Sequence, residues 1–198
     1  AKIYFEPEVE PYFHPDSYGY RPNKSAHDAI SVARQRCWRY NWVLDLDIKG
    51  FFDNISHSLL MRAVRKHTQC KWLLLYIERW LKAHMQLTGG TLISRDKGSP
   101  QGSVISPLLS NLFLHYAFDE WMQRNHKNIP FERYADDILV HGKNERQIKW
   151  IKAAIEDRLA ECHLELHPEK TKTVYCMDQN RRGQYPSKKF DFLGYTFR

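Results

Sequence analysis

The chain has 198 residues, 42% of them hydrophobic and 27% charged, a composition typical of an ordinary soluble globular protein. No apolar run reaches the roughly 18 residues of a membrane span, and the first residues lack the pattern of a secretory signal. The four cysteines are widely spaced without a C-x-x-C pair, so we expect reduced thiols in a cytoplasmic protein rather than a zinc site or a disulfide framework. The net charge of +7 favours a polyanionic partner.

The first half of the chain is predicted to be mainly helical. Residues 1–22 contain four prolines and little periodicity, which indicates an extended, turn-rich lead-in. Apolar residues at helical spacing predict helices over 24–39, about 56–66 and about 70–83. A serine stands at the N-cap position of each of the first two helices.

A strand is predicted between the first two helices, over residues 42–48. Its alternation places Asp45 and Asp47 on one face, with Val43, and aliphatic residues on the other. A strand that carries two carboxylates on one face is more than a core strand.

The middle of the chain predicts a hairpin, a loop and a long helix. Residues 85–97 form the hairpin, which turns at two adjacent glycines. Residues 98–106 are rich in Gly and Ser and indicate a loop. Ser106 as a cap and Pro107 at the first position then predict a helix that ends near residue 124.

The last third predicts strands around one more helix. Two short strands over 131–141 meet at a turn of Ala135, Asp136 and Asp137. A helix follows from Asn144 to about residue 161. The remaining predicted elements are strands near 163–167 and 171–177, a basic loop over 178–188 and a single final strand over 189–197.

This order of elements predicts an α+β fold. Around the carboxylates it reads β-α-β-β-α-β, the ferredoxin-like arrangement, in which an antiparallel sheet carries helices on one face and leaves the other face free.

The three aspartates Asp47, Asp136 and Asp137 are candidate metal ligands. If their strands are neighbours, the carboxylates converge, and Mg²⁺ favours such oxygen clusters. Two ions can activate an attacking hydroxyl and stabilise a leaving oxygen. An Asp-Asp pair in a turn is common on its own, so the interpretation depends on the second strand, because clustered like charges are costly without a cation.

Three ordered blocks of the sequence resemble signatures of reverse transcriptases, the RNA-directed DNA polymerases. They are Asp47-Ile48-x-x-x-Phe52-Asp53, Ser99-Pro100-Gln101-Gly102 and Tyr134-Ala135-Asp136-Asp137. Further stretches look like the bacterial group II intron-encoded proteins, and the resemblance covers nearly the whole chain: Tyr18–Pro22, Pro100–His115, Arg133–Asp137, Leu166–Lys172 and Phe190–Tyr195. Several ordered blocks are far more specific than any single motif.

The resemblance implies a metal site for nucleotidyl transfer. Asp47 and Asp136 would ligate two Mg²⁺ ions, with Mn²⁺ as an alternative. The carbonyl of Ile48 would add a ligand and Asp137 would complete the cluster. Asp45, which precedes the family pattern, would support the site without binding metal. Lys170 would donate a proton to the leaving pyrophosphate, although a solvated surface lysine fits almost as well.

The resemblance also implies a nucleotide-binding set. Phe52 would lie beneath the incoming sugar and exclude a ribose 2′-OH, unless it is an ordinary core residue. Gln101 would contact the nucleotide, and the small Ala135 would leave room for the primer terminus. Arg21 would hold template or nucleotide.

The last predicted strand would help to grip the primer, through Phe192, Leu193, Gly194 and Tyr195. The implied architecture is the palm of a right-hand polymerase with partial, mostly helical fingers. Its segments are fingers over 1–40 and 56–97 and palm over 41–55 and 98–198, without a thumb or maturase domain. Activity of this segment alone is left open.

The implied function is that of a group II intron reverse transcriptase, which also assists RNA splicing and intron mobility. Its partners would be an RNA template, the intron RNA, a DNA primer and deoxynucleoside triphosphates, with no membrane. A homodimer is left open. Alternatives are a non-polymerising splicing factor and a reverse transcriptase of a retron or defence lineage. An RNA-templated RNA polymerase would need a smaller residue than Phe52.

Overall fold

The structure is a computed structural model that describes residues 1–86, 89–90, 92–100, 102–178, 180–181 and 184–198. Its α-helices are α1 (Lys2–Val9), α2 (Ala26–Arg39), α3 (Phe51–Asn54), α4 (His57–His67), α5 (Lys71–Lys82), α6 (Ser106–Leu114), α7 (Glu120–Asn125) and α8 (Glu145–Glu161). A 3-10 turn (Glu10–Tyr12) follows α1, and a π-helical turn (His115–Asp119) joins α6 to α7. The strands are β1 (Trp42–Leu46), β2 (Met85–Gln86), β3 (Leu92–Ile93), β4 (Phe131–Tyr134), β5 (Asp137–Gly142), β6 (Lys172–Tyr175), β7 (Phe190–Phe192) and β8 (Tyr195–Phe197).

The main sheet has four antiparallel strands in the order β4-β5-β1-β6. Counted in chain order among themselves, the four strands lie 4-1-3-2, which is the ferredoxin-like order. The α+β fold class predicted from the sequence is therefore confirmed. The two central strands, β1 and β5, pair from Trp42 opposite Gly142 to Leu46 opposite Ile138.

The larger hydrophobic core lies between the sheet and the helices α4, α6 and α8. Leu44 and Leu46 of β1 and Ile138 and Val140 of β5 face this layer, and all four are at most 1% exposed. Full burial of such a side chain contributes roughly 1.5–3 kcal/mol. The core therefore fixes which face of each central strand turns towards the helices.

The sequence predicted that the opposite face of the sheet is free. In the structure, part of this face is covered. Val43 and Leu139 pack there against Ala29 and Ala33 of α2, and the second cluster also takes in Phe190 and Phe192 of β7. These small and aromatic residues cover one end of the face. The other end, where Asp45 and Asp47 lie, carries the polar residues.

The lead-in expected over residues 1–22 is partly helical, because α1 and a 3-10 turn occupy residues 2–12. The prolines concealed this helix, since Pro7 lies inside it and proline disfavours a helix interior. Phe5 and Val9, one turn apart, are fully buried and anchor it to the main core.

Two expected strands differ from the structure. Residues 189–197 are not one strand but a hairpin of β7 and β8, which reverses at Leu193 and Gly194 with φ angles of +51° and +84°. The strand expected near 163–167 is reduced to a single bridge between Ile48 and Leu166. A two-residue reversal around a glycine is a hairpin signal that a continuous run of aromatic residues obscured.

The helix starts predicted from capping residues are mostly confirmed. Ser25 accepts a hydrogen bond from the backbone of Asp28, whose side chain accepts one in return, a complete capping box. Ser56 also caps α4, where its hydroxyl accepts a hydrogen bond from the backbone of Leu59. Ser106 does not cap α6, because its hydroxyl donates to the carbonyl of Pro100 instead. Within the described ranges, no helix is long and apolar enough to cross a membrane.

Candidate active site

The pairing of β1 with β5 brings the predicted metal ligands together. The last pair of this register is Leu46 opposite Ile138. Because the strands are antiparallel, extending the register by one residue places Asp47 opposite Asp137. The carbonyl of Asp47 accepts a hydrogen bond from the backbone of His167 at 2.8 Å, which holds the chain after β1 in position. The carboxylates of β1 and of the β4–β5 turn therefore meet at one end of the sheet.

The carboxyl groups of Asp45, Asp136 and Asp137 have pKa values above the ordinary one. Partial loss of water and repulsion from Asp136 and Asp47 raise the pKa of Asp137 to about 6. Desolvation and repulsion from Asp47 also raise the pKa of Asp136, and burial and Asp137 raise the pKa of Asp45 to about 7. A cation between these groups would relieve the repulsion.

The donor set fits a hard divalent cation in an open site. Among the described residues, no three carboxylate, histidine or cysteine side chains form a cluster that could hold a metal ion by themselves. Mg²⁺ needs only one or two protein carboxylates, because substrate phosphates and water complete its shell. Asp47 and Asp136 are both half-buried and belong to the two facing segments, so they are the best candidates.

A tight turn presents Asp136 and Asp137. Tyr134 pairs with Asp137, so Ala135 and Asp136 form a two-residue reversal in which Ala135 has a φ of +57°. A non-glycine residue in this region costs roughly 1–2 kcal/mol. The surrounding structure must therefore hold the turn in this conformation.

Gly19 lies against this turn. A Cβ atom on Gly19 would overlap the backbone nitrogen of Ala135 and lie 3.0 Å from the carbonyl carbon of Tyr134. The segment that contains Gly19 runs beside β4, where the backbone of Tyr18 donates to the carbonyl of Arg133 at 2.8 Å. Only glycine permits this close approach.

A buried network of polar side chains holds the backbone of this turn in place. The guanidinium of Arg133, with no exposed surface, donates to both carboxylate oxygens of Asp119, to Asn111 and, at 2.9 Å, to the carbonyl of Ala135. Asn111 in turn donates to the carbonyl of Gly19 at 2.5 Å. The network thus connects the π-helical turn, α6 and the segment before α2 to one carbonyl of the Ala135–Asp136 turn.

The short helix α3 and the glycine-serine loop are joined to each other. The backbone of Ser99 donates to the carbonyl of Phe52 at 2.7 Å, and that of Gly98 donates to Ile55 at 2.8 Å. The half-buried ring of Phe52 packs edge-on against Phe51, with ring centroids 5.4 Å apart. Gln101, the predicted nucleotide contact in this loop, lies outside the described residues.

Two cationic residues of the predicted site have different environments. Lys170 is 62% exposed, and its Nζ lies 3.5 Å from Oδ2 of Asp47, so it belongs to the carboxylate end of the sheet. The guanidinium of Arg21 is only 7% exposed and donates to Glu10 and to the carbonyls of His14 and Ser17. These bonds hold the lead-in in position, and a contact of Arg21 with template or nucleotide stays a prediction.

The predicted primer grip occupies the β7–β8 hairpin. Phe192 is 2% exposed and packs in the second core cluster, so its side chain is directed inwards. Leu193 and Gly194 form the reversal, and Tyr195 is 50% exposed, with its hydroxyl 3.4 Å from Nε2 of His27. The surface available to a primer therefore comes from residues 193–195, and the grip itself remains a prediction.

The sequence interpretation missed the residues that support the turn. Asn111 and Asp119 are polar residues on buried positions of a helical segment that is otherwise apolar, which was the available signal. Buried polar groups almost always have a specific partner. Here the partner is Arg133. From the sequence, Arg133 was recognised only as part of the stretch Arg133–Asp137 that resembles the family, without a role of its own.

The family model described as reverse transcriptase (RNA-dependent DNA polymerase) matches residues 4–197. Since the match spans almost the entire chain, the protein belongs to the reverse transcriptase family.

Its similarity to individual proteins is moderate. It is 30% identical over 217 residues to protein YkfC of Escherichia coli K12, covering 87% of this chain and 55% of YkfC. It is 34% identical over 115 residues to the group II intron-encoded protein LtrA of Lactococcus lactis subsp. cremoris, covering 58% of this chain and 19% of LtrA. The chain therefore spans about half of the first relative and about a fifth of the second.

The fold is that of right-hand polymerases. The telomerase of Candida albicans, solved in complex with a fragment of telomeric RNA, superposes with a TM-score of 0.69 at 15% sequence identity. The match covers 98% of this chain and 35% of the telomerase chain. The four-stranded sheet is therefore a polymerase palm.

Proposed function

We propose that this protein catalyses RNA-templated DNA synthesis by nucleotidyl transfer to a primer 3′-OH. The observation that carries the proposal is the β1–β5 pairing, which brings Asp47 to the Asp136–Asp137 turn within a chain of the reverse transcriptase family. Mg²⁺ held by these carboxylates would supply the charge stabilisation for attack and departure. Mn²⁺ has the same preference for oxygen ligands.

The residues of the chain have separate roles in this proposal. Asp47 and Asp136 bind the ions, with the Ile48 carbonyl and Asp137 as further ligands. The ring of Phe52 limits the space beneath the sugar and so selects deoxynucleotides, while Ala135 leaves room for the primer end. Lys170, next to Asp47, delivers a proton to the departing pyrophosphate.

We further propose that the polymerase belongs to the group II intron lineage and binds intron RNA for splicing and mobility. The similarity to LtrA and the excess of positive charge support this lineage. Its substrates would be an RNA template, a DNA primer and deoxynucleoside triphosphates.

Extension of a DNA primer on an RNA template, in the presence of Mg²⁺, tests the proposal. Asp136→Ala should reduce the rate by on the order of a thousandfold, because loss of a metal ligand removes charge stabilisation in the transition state. RNA affinity should remain. Asp157→Ala, which removes an exposed carboxylate of α8, is the matched control.

Undiminished extension by Asp136→Ala would contradict the metal assignment. A wild-type protein that binds intron RNA but extends no primer with Mg²⁺ or Mn²⁺ would instead indicate a splicing factor without polymerase activity. Equal affinity for intron RNA and for an unrelated RNA of the same length would contradict the lineage.

A further inference from the structure

A groove of about 300 Å³ lies on the helical layer, between α4, the π-helical turn with α7, and α8. This layer packs on the sheet face that carries Leu44 and Val140. Asp45 and Asp47 belong to the opposite face. The groove is therefore separated from the carboxylates by the thickness of the palm.

The groove is strongly basic. Four cations and one carboxylate line it: Arg62, Lys66, Arg124, Arg158 and Glu120. Arg124 pairs with Glu120 at 2.7 Å, and Arg158 pairs with Glu161 at 2.9 Å. Within the part of the chain that the structure describes, neither Arg62 nor Lys66 forms an ion pair, and both are exposed. Their charges remain available to an anionic partner.

The position of Arg158 is fixed by the irregular helix beside it. Its guanidinium donates to the carbonyls of Tyr116 and Ala117 at 3.1 and 3.0 Å. Both carbonyls belong to the π-helical turn, where the shifted bonding pattern alters which backbone groups are paired. Arg158 is thereby held at the edge of the groove rather than free in solvent.

Aromatic rings accompany the cations. Tyr116 and Trp121 line the groove, and Nζ of Lys66 lies 4.2 Å from the ring centroid of Tyr116. Cations beside ring faces are the usual composition of a surface that contacts nucleic acid. An acidic protein would complement the positive charge of the groove, but it would make less use of the aromatic rings than a nucleic acid would.

We propose that this groove binds the backbone phosphates of an RNA segment outside the primer–template path. The choice of RNA rests on the proposed function, whereas the anion-binding role rests on the charges alone. Because the groove and the carboxylates lie on opposite sides of the palm, a structured RNA can be bound here while the active site holds a primer and template.

The test compares the wild type with the double variant Arg62→Ala, Lys66→Ala. The probe is a transcript of a group II intron, and its affinity is measured by filter binding at several KCl concentrations. The variant should bind about tenfold more weakly, with a salt dependence shallower by about 1.5 in log–log slope, because two phosphate contacts are lost. Extension of a short primer–template should stay at the wild-type rate.

The matched control is Lys143→Ala, Lys149→Ala, which removes the same charge from exposed positions away from the groove. If the groove variant and this control have equal RNA affinity and salt slope, the proposal is wrong. A changed sedimentation coefficient with unchanged RNA affinity would mean that the groove contacts a second copy of the chain, which also overturns it. A failure of the Asp136→Ala test would contradict the metal assignment and would leave the RNA affinity measured for the groove unaffected.

Discussion

Arg133 and Asp119 form a two-bonded ion pair next to the Ala135–Asp136 turn, with N···O distances of 2.8 and 2.6 Å and no exposed surface on either side chain. Asp119→Ala would leave the guanidinium buried without its counter-charge. We expect a loss of about 3–5 kcal/mol in the free energy of unfolding, measured by urea denaturation.

The control for this change is Glu78→Ala, which breaks the exposed pair between Glu78 and Lys82 at 2.7 Å. An exposed pair contributes at most about 1 kcal/mol, so this variant should remain near the wild type. Similar losses in the two variants would mean that the buried pair does not stabilise the region of the turn.

Gly19→Ala should impair catalysis more than stability. The added methyl group overlaps the backbone of Ala135 and must displace the turn that carries Asp136. Small displacements of reacting groups can cost up to about a hundredfold in rate, so we expect at least a tenfold fall in kcat for primer extension. Gly89→Ala should keep the wild-type rate, because no atom of the described residues beyond its chain neighbours lies within 4 Å of the new methyl group.

Phe52→Ala should weaken the discrimination between deoxyribonucleotides and ribonucleotides. Removing the ring opens space beneath the sugar, and we expect the ratio of kcat/KM values for dNTP and NTP to fall by on the order of tenfold. Phe52→Tyr retains the ring and should retain the ratio. An unchanged ratio in the alanine variant would indicate that Phe52 is only a packing residue against Phe51.

Three histidines, one buried and two half-buried, should make the fold sensitive to acid. Burial lowers the pKa of His14, His67 and His115 below the ordinary 6.5, and the carboxylates of Asp119 and Glu120 oppose this only in part at His115. At these three positions the unfolded chain binds more protons than the folded one, so their contribution to the free energy of unfolding falls as the pH drops below about 6.5. The raised pKa values of Asp45, Asp136 and Asp137 act in the opposite direction.

His115→Phe should make that decline shallower. His115 is 3% exposed, and its Nδ1 has no hydrogen-bond partner within the described part of the chain, so protonation there is costly. Urea unfolding at about pH 7 and pH 5 gives the decline for each variant. The same substitution at the exposed His84 is the control. An identical decline in the two variants would exclude His115 as a source of the acid sensitivity.

Local signals predicted most of the elements. The capping serines Ser25 and Ser56 and the apolar spacing located α2 and α4, because caps and periodicity depend on residues a few positions apart. The same local view missed α1, where Pro7 outweighed the burial of Phe5 and Val9 one turn apart. It also read the β7–β8 hairpin as a single strand.

The support of the site could not be predicted in the same way. The contact of Gly19 with Ala135, and the bonds of Arg133 to Asp119 and Asn111, join segments that are distant along the chain. Nothing in the local pattern of any one segment specifies its partner. The aspartates could be predicted as site residues because carboxylates are typical metal ligands. The residues that hold them in position could be identified only from the fold.

The central pairing of β1 with β5 also has a consequence for folding. Asp47 and Asp136 are separated by on the order of 90 residues, so their meeting requires the closure of a long chain segment, whose entropic cost grows only slowly with its length. A change in the length of a loop within this segment would therefore add little to that cost. It also follows that Asp47 cannot repel Asp136 and Asp137 until this pairing forms, and that a nascent chain released before β5 lacks the proposed metal site.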